Sequence, residues 1–372
     1  MSIDRWLSAR AKAIEMSGVR RVFELARSLK SPVDLSIGQP HFPVPQPIKD
    51  ALKSAVDADK NGYTVTQGVP ELRSKLKSWI DEQYHHSDRD VIVTSGTSGG
   101  LMLATLATID PGDEVIVFDP YFVAYLPMVT LNGGVPVVID TYPDFALDVD
   151  KVRQAITPRT KMILFNTPAN PTGMVPSRDA VRDLAALADK HGVLLVSDQI
   201  YHRFAYDGPA TSPAEFLPST LVVDGFGKTY GITGWRLGFA HGPAVLIDQM
   251  AKLQQFSFVC APSMVQHAGA VACDVDMSRE VAAYSLNRDR LVAALQGHYE
   301  FTAPGGAFYL FAKCPHGTGT DFATKAIEQN LLLIPGTVFS KRDTHVRISY
   351  AVSEETLERG IEILLKLATP NH

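Results

Sequence analysis

The sequence predicts an α/β fold in which a mainly parallel sheet is sandwiched by helices, together with a smaller α+β domain. Strand candidates alternate with helical patterns for about two hundred residues, which is typical of strand-helix-strand units. The strand candidates are short, β-branched and almost continuously apolar, as strands buried on both faces of a parallel sheet are. From about residue 275 the pattern changes to longer helices with a strand at AFYLFA, which indicates the second domain.

The chain begins with apolar residues at roughly helical spacing, which predicts a helical arm that covers another surface. They are Trp6, Leu7, Ala11, Ile14, Phe23, Ala26 and Leu29. Charges interrupt them every few positions, so no signal-peptide core is present. A proline-rich stretch, GQPHFPVPQP at 38–47, follows the arm.

Six segments then read as strands because each is a short run rich in Val, Ile, Leu or Phe. They are DVIVTS at 90, EVIVF at 114, VPVVI at 135, KMILFN at 161, VLLVSD at 193 and TLVVDGF at 220. Between them lie helices with recognisable ends, such as one that begins after Ser177 and ends before Gly192. A final capped helix is predicted to begin near Ser353. We divide the chain into an N-terminal arm with part of the small domain at 1–40, a large domain at 41–274 and a C-terminal small domain at 275–372.

Composition excludes several classes of function. The 372 residues carry 35 Lys plus Arg against 40 Asp plus Glu, without a long run of one sign, which argues against a nucleic-acid partner. No run of about 18 apolar residues predicts a membrane span. Three cysteines without a CxxC pair predict neither a disulfide framework nor a metal site, and they fit a reducing cytoplasm.

Chemically distinctive residues follow the strands, where ligands gather in a doubly wound sheet. TSGTSGG at 94–100 would present the backbone N–H groups of Thr97 and Ser98 to a phosphate at a helix start. NTPANPTG at 166–173 would fix the amide of Asn170, because prolines restrict the backbone. Taken alone, a glycine-rich turn and a proline-rich loop are the better explanations of these two segments.

Three further segments carry charged or phenolic side chains. Asp198 ends an apolar strand, with Tyr201 three residues later, so its carboxylate is expected to be buried and paired unless it caps a helix. Lys228 lies in the glycine-lined turn DGFGKTYGITGWRLGF, eight residues before Arg236, where desolvation would lower its pKa unless it is a solvated turn lysine. Arg347 interrupts the strand HVRISYA, either to bind a carboxylate or to face solvent from a sheet edge.

Together these residues match the needs of one cofactor. Pyridoxal phosphate requires a lysine for its aldehyde, an aspartate that keeps its ring nitrogen protonated, and amides with an arginine for its phosphate. The order and spacing of the segments resemble the class I/II aminotransferases, the aspartate-aminotransferase-like branch of the fold type I enzymes. The resemblance covers nearly the whole chain and implies a seven-stranded, mainly parallel sheet in a cofactor-binding large domain.

The resemblance also assigns roles to individual residues. Lys228 would form the imine with the cofactor, Asp198 would pair with the ring nitrogen, and Asn170 and Tyr201 would bond the 3-hydroxyl. The phosphate would be held by Thr97, Ser98 and Arg236, with Phe122 stacked on the ring. Arg347, Asn170 and the backbone at Gly38 would bind the substrate α-carboxylate. Tyr63 resembles the residue that reaches the phosphate of the neighbouring subunit, which implies a homodimer with shared active sites.

The sequence departs from the family at three positions. Gly225 stands three residues before the lysine where a serine is frequent, so one hydroxyl contact to the phosphate is expected to be lost, with weaker cofactor affinity. Gln199 replaces an acidic residue beside the retained Asp198, which should be tolerated. His41, next to Phe42, replaces the acidic residue after the GxP turn; local hydrogen bonding is the more frequent role of such a histidine, and a substrate contact is the alternative.

The expected activity is a ping-pong transfer of an amino group from an L-amino acid to a 2-oxo acid through Lys228. Another fold type I reaction, such as β-elimination or decarboxylation, would use nearly the same residues. A P-loop is suggested by Gly227, Lys228 and Thr229, but the required earlier glycine is Val222. A non-catalytic regulator would need a DNA-binding domain that the sequence does not suggest. No second arginine clearly marks a dicarboxylate substrate. Together with Phe42, Phe122 and His41, this weakly favours a neutral or aromatic amino donor.

Overall fold

The computed structural model describes residues 3–15, 18 and 29–369. Of the predicted N-terminal arm, a 3-10 turn at Ile3–Trp6 and a short helix, α1 (Ala9–Lys12), lie within these residues, and the Ser8 hydroxyl accepts a hydrogen bond from the Ala11 N–H. Phe23 and Ala26 lie outside them. The Trp6 side chain is 71% exposed, so this part of the arm leaves an apolar ring in solvent.

Thirteen strands lie within the described residues. In chain order they are β1 (Val33–Asp34), β2 (Arg89–Ser95), β3 (Glu114–Asp119), β4 (Val135–Asp140), β5 (Thr160–Asn166), β6 (Leu194–Asp198), β7 (Leu221–Gly225), β8 (Leu237–Pro243), β9 (Glu300–Phe301), β10 (Tyr309–Lys313), β11 (Leu331–Leu332), β12 (Ile334–Pro335) and β13 (His345–Ser349). All six predicted strands of the alternating region are present. The predicted strand at AFYLFA is also confirmed, as β10.

Thirteen α-helices lie wholly within the described residues. After α1 they are α2 (Gln46–Asp57), α3 (Pro70–Tyr84), α4 (Gly96–Thr108), α5 (Tyr125–Leu131), α6 (Val149–Ala155), α7 (Arg178–His191), α8 (Phe226–Thr229), α9 (Ala244–Ser257), α10 (Ser263–Ala272), α11 (Ser278–Leu295), α12 (Gly319–Glu328) and α13 (Glu354–Ala368). The predicted caps are confirmed: Ser177 and Ser353 accept hydrogen bonds from the N–H groups of Ala180 and Thr356, and Gly192 ends α7 in the left-handed conformation. No helix among the described residues is long and apolar enough to cross a bilayer.

The central sheet has seven strands in the order β2-β8-β7-β6-β5-β3-β4. All neighbours run parallel except β8, which is antiparallel to both β2 and β7. The mainly parallel seven-stranded sheet implied by the resemblance is therefore confirmed. The strand β8 was not among the six candidates, because Gly238 and Gly242 interrupt its apolar pattern and glycine disfavours strands.

Both faces of this sheet are buried along its inner strands, which explains why these strands are apolar at consecutive positions, whereas Val135 and Val138 on the edge strand β4 are exposed. Along β2, Val91 and Val93 pack into one core while Ile92 packs into another on the opposite face. Along β5, Ile163 and Met162 divide in the same way. Complete burial of each such side chain contributes about 1.5–3 kcal/mol, so the helices on the two faces are held mainly by these contacts.

A second, four-stranded antiparallel sheet is formed in the order β12-β13-β10-β9. The strand β13 is internal, so the edge-strand alternative for Arg347 is wrong; its side chain is only 4% exposed. The short strand β1 pairs with β11, and the Ser349 N–H donates to the Leu35 carbonyl at 2.7 Å. These contacts join the N-terminal segment to the C-terminal part of the chain. On that basis we propose the division at 1–40, 41–274 and 275–372; limited proteolysis that cuts within 41–274 first would contradict it.

Candidate active site

A cavity of about 330 Å³ lies at the carboxyl ends of β5, β6 and β7. Its walls come from both sheets, because Arg347 reaches it from β13 and Tyr309 from β10. Of the residues predicted from the sequence, the cavity brings together Gly38, Thr97, Ser98, Phe122, Asn170, Asp198, Tyr201, Lys228, Arg236 and Arg347. Tyr63 is the exception, since it lies outside the cavity with its side chain 86% exposed.

Lys228 lies in the four-residue helix α8, directly after β7. Its side chain is partly buried in the cavity wall, and its amine donates a hydrogen bond to the Gly38 carbonyl and lies 6.0 Å from the centre of the Tyr201 ring. Burial lowers the pKa of Lys228 to about 8, with a further lowering by the charges of Arg347 and Arg236, while Asp198 acts in the opposite direction. A lysine with such a pKa is available as a nucleophile and as a base near neutral pH.

Because of this pKa, the amine of Lys228 is expected to react with aldehydes at unusually low pH. At pH 7 roughly a tenth of Lys228 would be in the neutral, nucleophilic form, against less than roughly a thousandth of an ordinary lysine. The reaction rate of the cofactor-free protein with pyridoxal, followed by absorbance from pH 6 to 11, should therefore rise through a midpoint of about 8. A midpoint near the ordinary lysine value would contradict the expectation. In a variant without Lys228, the reactivity that is left provides the reference for ordinary lysines such as Lys252, which is exposed on α9.

Asp198 ends β6 and is buried, with its side chain almost fully removed from solvent. The Tyr125 hydroxyl donates a hydrogen bond to its Oδ2 at 2.8 Å, and the Ile200 N–H donates to its Oδ1 at 3.2 Å. Burial raises the pKa of Asp198 to about 6, although these two donors lower it. Each carboxylate oxygen therefore has one donor, and the residue remains mostly charged at neutral pH.

The start of α4 and the side chain of Arg236 form the part of the cavity suited to a phosphate. Gly96 has a φ of +69°, and a Cβ there would collide with the guanidinium of Arg236. Arg236 itself donates from Nη1 to the Thr233 carbonyl at 2.9 Å. The N–H groups of a helix start and an adjacent guanidinium both favour an anion.

The backbones of β7, β8 and α4 approach one another closely beside this point, and Gly238 makes that approach possible. A Cβ on Gly238 would lie 2.5 Å from the Gly96 carbonyl carbon and 2.6 Å from the Thr97 nitrogen. Real Cβ atoms do not approach backbone this closely, so a side chain at 238 must displace the start of α4 from the sheet.

Gly238→Ala is therefore expected to destabilise the protein by at least about 2 kcal/mol, in the upper range for overpacked cores. Thermal unfolding of the cofactor-free protein is the measurement. The matched control is Gly234→Ala, because a Cβ at 234 meets nothing within 4 Å and the position lacks a positive φ. Equal melting temperatures for the two variants would show that the close approach is not constrained as described.

Arg347 is held by contacts on several sides. Its Nη1 donates to Asn170 Oδ1 at 3.1 Å and its Nη2 to the Ser36 carbonyl at 2.8 Å. Its guanidinium carbon lies 4.3 Å from the centre of the Tyr309 ring and 4.8 Å from that of Phe339. Its Nε is buried without a hydrogen-bond partner in the described part of the chain, which leaves a donor for an anionic ligand.

Four polar residues of this cavity were not identified from the sequence: Tyr125, Asn166, Thr233 and Tyr309. The Tyr309 hydroxyl lies 2.9 Å from the Tyr201 hydroxyl, and the Tyr309 ring packs against the Arg347 guanidinium. Asn166 Oδ1 accepts from the Asn170 N–H at 2.8 Å and so orients that loop. The position of Asn166 at the end of β5 was a usable signal, whereas Tyr125 and Tyr309 lie within apolar runs and looked like core residues.

The charges of the cavity favour anionic ligands. Its described lining contains three basic side chains, Lys228, Arg236 and Arg347, against one acidic side chain, Asp198. A phosphate and a carboxylate would balance this excess of positive charge. Among the described residues no group of three His, Cys, Asp or Glu is arranged to hold a metal ion.

The histidine singled out in the sequence, His41, is held locally. Its N–H and its Nδ1 lie 3.0 Å and 2.9 Å from the Tyr284 hydroxyl, and its ring packs against those of Phe42 and Tyr284. Neither His41 nor Phe42 lies on the cavity wall described above. The structure therefore accounts for His41 by local contacts.

A second cavity, of about 410 Å³, lies on the other side of α8. Its lysine, Lys75, is paired with Asp274 at 2.5 Å, and burial raises the pKa of the Cys273 thiol to about 11. Its nucleophilic groups are thus paired or inert, in contrast to Lys228. The smaller cavity with the accessible amine is the better candidate for chemistry.

Comparison with known proteins identifies the family of this chain. The family model described as aminotransferase class I and II matches residues 30–364. A probable aspartate aminotransferase of Methanocaldococcus jannaschii is 35% identical over 97% of this chain and 99% of its own length. The aspartate/prephenate aminotransferase of Thermus thermophilus is 37% identical over 96% of this chain and 97% of its own. The crystal structure of an aspartate aminotransferase from Thermotoga maritima has a TM-score of 0.93 at 30% identity and covers 97% of this chain and 99% of that one.

Proposed function

The chain belongs to the aminotransferases of class I and II, and we propose that it uses pyridoxal 5'-phosphate to move an amino group from an L-amino acid to a 2-oxo acid. The transferase activity and fold type I follow from the family. The cofactor, the roles of individual residues and the substrates are the parts proposed here. The observation that carries the proposal is the convergence of Lys228, Asp198 and the two arginines on one cavity.

The residues present fit this cofactor. The N–H groups at the start of α4 and Arg236 suit its phosphate, and Asp198 suits a protonated ring nitrogen. Phe122 lines the same cavity and is assigned to the face of the ring, with Tyr201 and Asn170 at the 3-hydroxyl. When bound, the cofactor supplies an aldehyde carbon and a ring that withdraws the electrons released when a substrate Cα loses its proton.

Lys228 is assigned to proton transfer. Its amine, with a pKa lowered to about 8, would take the proton from the substrate Cα and deliver it to the carbon that the cofactor's aldehyde supplies. Asn170, Asp198 and Arg347 in the cavity wall are almost fully buried, which strengthens the electrostatic interactions among them. Lys228 would serve both half-reactions, which accounts for a ping-pong scheme.

Asp198 is assigned to the ring nitrogen. Above its pKa of about 6 the carboxylate is charged. Its Oδ2 accepts from the Tyr125 hydroxyl, and among the described residues its Oδ1 accepts only from the backbone N–H of Ile200. A carboxylate so placed favours a proton on the nitrogen that faces it. Tyr125 is therefore a positioning residue that keeps the carboxylate in one orientation.

Arg347 is assigned to the substrate α-carboxylate, with Asn170 and the backbone at Gly38. Its unpartnered Nε and its fixed plane against Tyr309 suit a planar anion. The described cavity has no fourth basic side chain that would bind a second carboxylate. Phe122 lies on this wall, whereas His41 and Phe42 do not, and the proposal of a neutral or aromatic amino donor rests on Phe122 and on the basic side chains of this chain alone, although several relatives are aspartate aminotransferases.

The test is a panel of amino donors and 2-oxo acid acceptors on the purified protein. We expect a visible absorbance band from bound pyridoxal phosphate, and turnover that depends on the 2-oxo acid. Phenylalanine and tyrosine should show higher kcat/KM than aspartate. Release of ammonia without dependence on the acceptor would favour another reaction of the cofactor, and higher kcat/KM for aspartate would overturn the substrate class alone.

We also propose a homodimer with shared sites. Exposed apolar side chains are concentrated on two adjacent segments, with Tyr63 and Val65 on one and Phe256, Phe258 and Val259 on the other. Buried glutamines join the segments: Gln254 donates to the Thr66 carbonyl at 2.7 Å, and Gln266 to the Thr64 hydroxyl at 3.2 Å. Such a patch suits a second copy of the chain, with Tyr63 reaching the partner's phosphate. A monomeric mass by light scattering at micromolar concentration would contradict this proposal.

A cytoplasmic location is proposed for the protein. The three cysteines are free, and Cys314 is buried. Free thiols persist in a reducing compartment. Recovery in a secreted or periplasmic fraction after cell fractionation would contradict this location.

A further inference from the structure

Tyr309 begins β10 and is fully buried between two residues that have been assigned to the active site. Its hydroxyl oxygen lies 2.9 Å from that of Tyr201, and its ring centre lies 4.3 Å from the guanidinium carbon of Arg347. The rings of Tyr309 and Tyr201 are nearly perpendicular, at 84°, with 5.7 Å between their centres. Tyr309 therefore contacts both the phenol assigned to the cofactor 3-hydroxyl and the arginine assigned to the substrate carboxylate.

The Tyr309 hydroxyl has few ways to use its hydrogen. Among the described residues, its hydrogen-bond partner is Tyr201 alone. A phenol donates one hydrogen bond, so Tyr309 can give its hydrogen only to Tyr201 or to a ligand in the cavity. Burial raises the pKa of Tyr309, although the charge of Arg347 and the bond to Tyr201 lower it, so the hydroxyl keeps its hydrogen at neutral pH.

The Tyr201 hydroxyl faces a second donor. Asn170 Nδ2 donates to it at 3.5 Å, and this amide is oriented by Arg347, whose Nη1 donates to Asn170 Oδ1 at 3.1 Å. If Tyr309 donates as well, the Tyr201 oxygen accepts twice and its own hydrogen is left for the cavity. A hydroxyl that accepts hydrogen bonds is itself a stronger donor, because the bonds of a chain polarise one another.

We infer that Tyr309 is a positioning residue, which directs the hydrogen of Tyr201 toward the 3-oxygen of pyridoxal phosphate and strengthens that donation. Its ring has a separate task, because it holds the plane of the Arg347 guanidinium. The two tasks belong to different atoms of one side chain, so substitutions can separate them. The inference rests on the proposed function, since it requires pyridoxal phosphate in this cavity with its 3-hydroxyl at Tyr201.

The hydroxyl of Tyr309 is expected to affect the acidity of the bound cofactor. A donor at the 3-oxygen favours the negative form of that oxygen, so a weaker donor should raise the pH at which the bound cofactor loses its proton. In Tyr309→Phe the midpoint of the visible absorbance change with pH should therefore rise by about 0.5–1 pH unit.

The ring of Tyr309 is expected to affect the amino donor instead. Tyr309→Phe keeps the ring against Arg347, so kcat should fall about 2- to 10-fold while KM for the amino donor stays within about twofold. Tyr309→Leu loses the ring as well, and its KM should rise at least about fivefold, the loss expected for a buried contact between a cation and an aromatic face. Steady-state assays with saturating 2-oxo acid provide both constants.

A double-mutant cycle tests whether Tyr309 acts through Tyr201. If it does, Tyr201→Phe with Tyr309→Phe should show the same absorbance midpoint as Tyr201→Phe alone. Calorimetric titration of the cofactor-free protein supplies a readout without turnover. Tyr309→Phe should bind pyridoxal phosphate about 2- to 10-fold more weakly, and should bind 3-deoxypyridoxal phosphate, which lacks the 3-hydroxyl, like the wild type.

Tyr299→Phe is the matched control. Tyr299 is also a buried tyrosine, and its hydroxyl donates to the Leu364 carbonyl at 2.7 Å, but it lies outside the cavity. This variant should keep the absorbance midpoint, both dissociation constants and both kinetic constants of the wild type.

The outcomes separate this inference from the proposed function. A wild-type midpoint in Tyr309→Phe, or an equal loss of affinity for the two compounds, would overturn the role of the hydroxyl and leave the proposed function standing. Additive shifts in the double variant would overturn its action through Tyr201. Failure of the wild type to bind pyridoxal phosphate would overturn the proposed function and the inference together.

Discussion

Lys228→Ala is expected to lower kcat by at least about 10⁴-fold, because the variant loses the only lysine of the described cavity wall. Proton transfer by a positioned side chain alone contributes roughly 10²–10⁴-fold, and the covalent role of the amine adds to that. The visible absorbance of the bound cofactor should shift or vanish as well. Stopped-flow and steady-state assays with saturating amino donor and acceptor provide the measurement.

The loss can be separated from misfolding. Burial disfavours the charged form of Lys228 at pH 7. The melting temperature of the cofactor-free Lys228→Ala variant should therefore fall by no more than the loss of a packing contact implies. Lys252→Ala is the matched control, because Lys252 on α9 is exposed and its amine donates to Gln249 Oε1, away from the cavity. A Lys228→Ala variant that retains more than a hundredth of wild-type kcat would remove Lys228 from the mechanism.

Asp198→Asn is expected to lower kcat by about 10²–10³-fold, since the variant keeps the shape of the side chain but no longer favours a proton on the ring nitrogen. The KM for the amino donor should change much less, because Arg347 and not Asp198 is assigned to the carboxylate. Asp119→Asn is a matched control: Asp119 ends β3 at the same edge of the sheet, and burial raises its pKa too, but it lies outside the cavity. Similar losses in both variants would contradict the assignment.

The same variant should change how stability depends on pH in the cofactor-free protein. The pKa of Asp198 is raised from its usual value of 3.8 to about 6 in the folded state, so between these values the folded state binds more protons than the unfolded state. The stability contributed by the protonated acid is complete below about pH 4 and is lost as the pH rises through 6. The loss, on the order of 3 kcal/mol, should be absent in Asp198→Asn when chemical unfolding is compared at pH 4 and pH 7.

Much of this site could be predicted from the sequence, because the predicted residues follow strands whose ends a parallel sheet brings together. Asp198 and Lys228 are thirty positions apart, yet β6 and β7 are neighbours and deliver them to one cavity. Arg347 was also predicted as a ligand residue, but its surroundings were not. Its contacts with Ser36 and Tyr309 depend on β13 being an internal strand of a separate sheet.

Other features were not predictable in this way because they depend on how distant segments pack. Tyr125 and Tyr309 occur in apolar runs that predict only burial, and their hydroxyls become part of the site once α5 and β10 face the cavity. The strand β8 was missed because its glycines weaken the strand pattern. In the fold, Gly238 is required by the close approach of α4.

Taken by itself, the sequence determined the fold class, the order of the strands along the chain and the chemical types at their ends. Periodicity and residue chemistry are local properties, so they can be read without coordinates. Only the tertiary structure decided how the residues at the strand ends pack against one another. The glycine at 225 signified a missing hydroxyl in the sequence, whereas in the fold a Cβ at 225 would lie 2.7 Å from the hydroxyl oxygen of Thr97, which is 128 positions away along the chain. Two side chains cannot occupy the same volume, and which segments compete for a volume is decided only when they pack together.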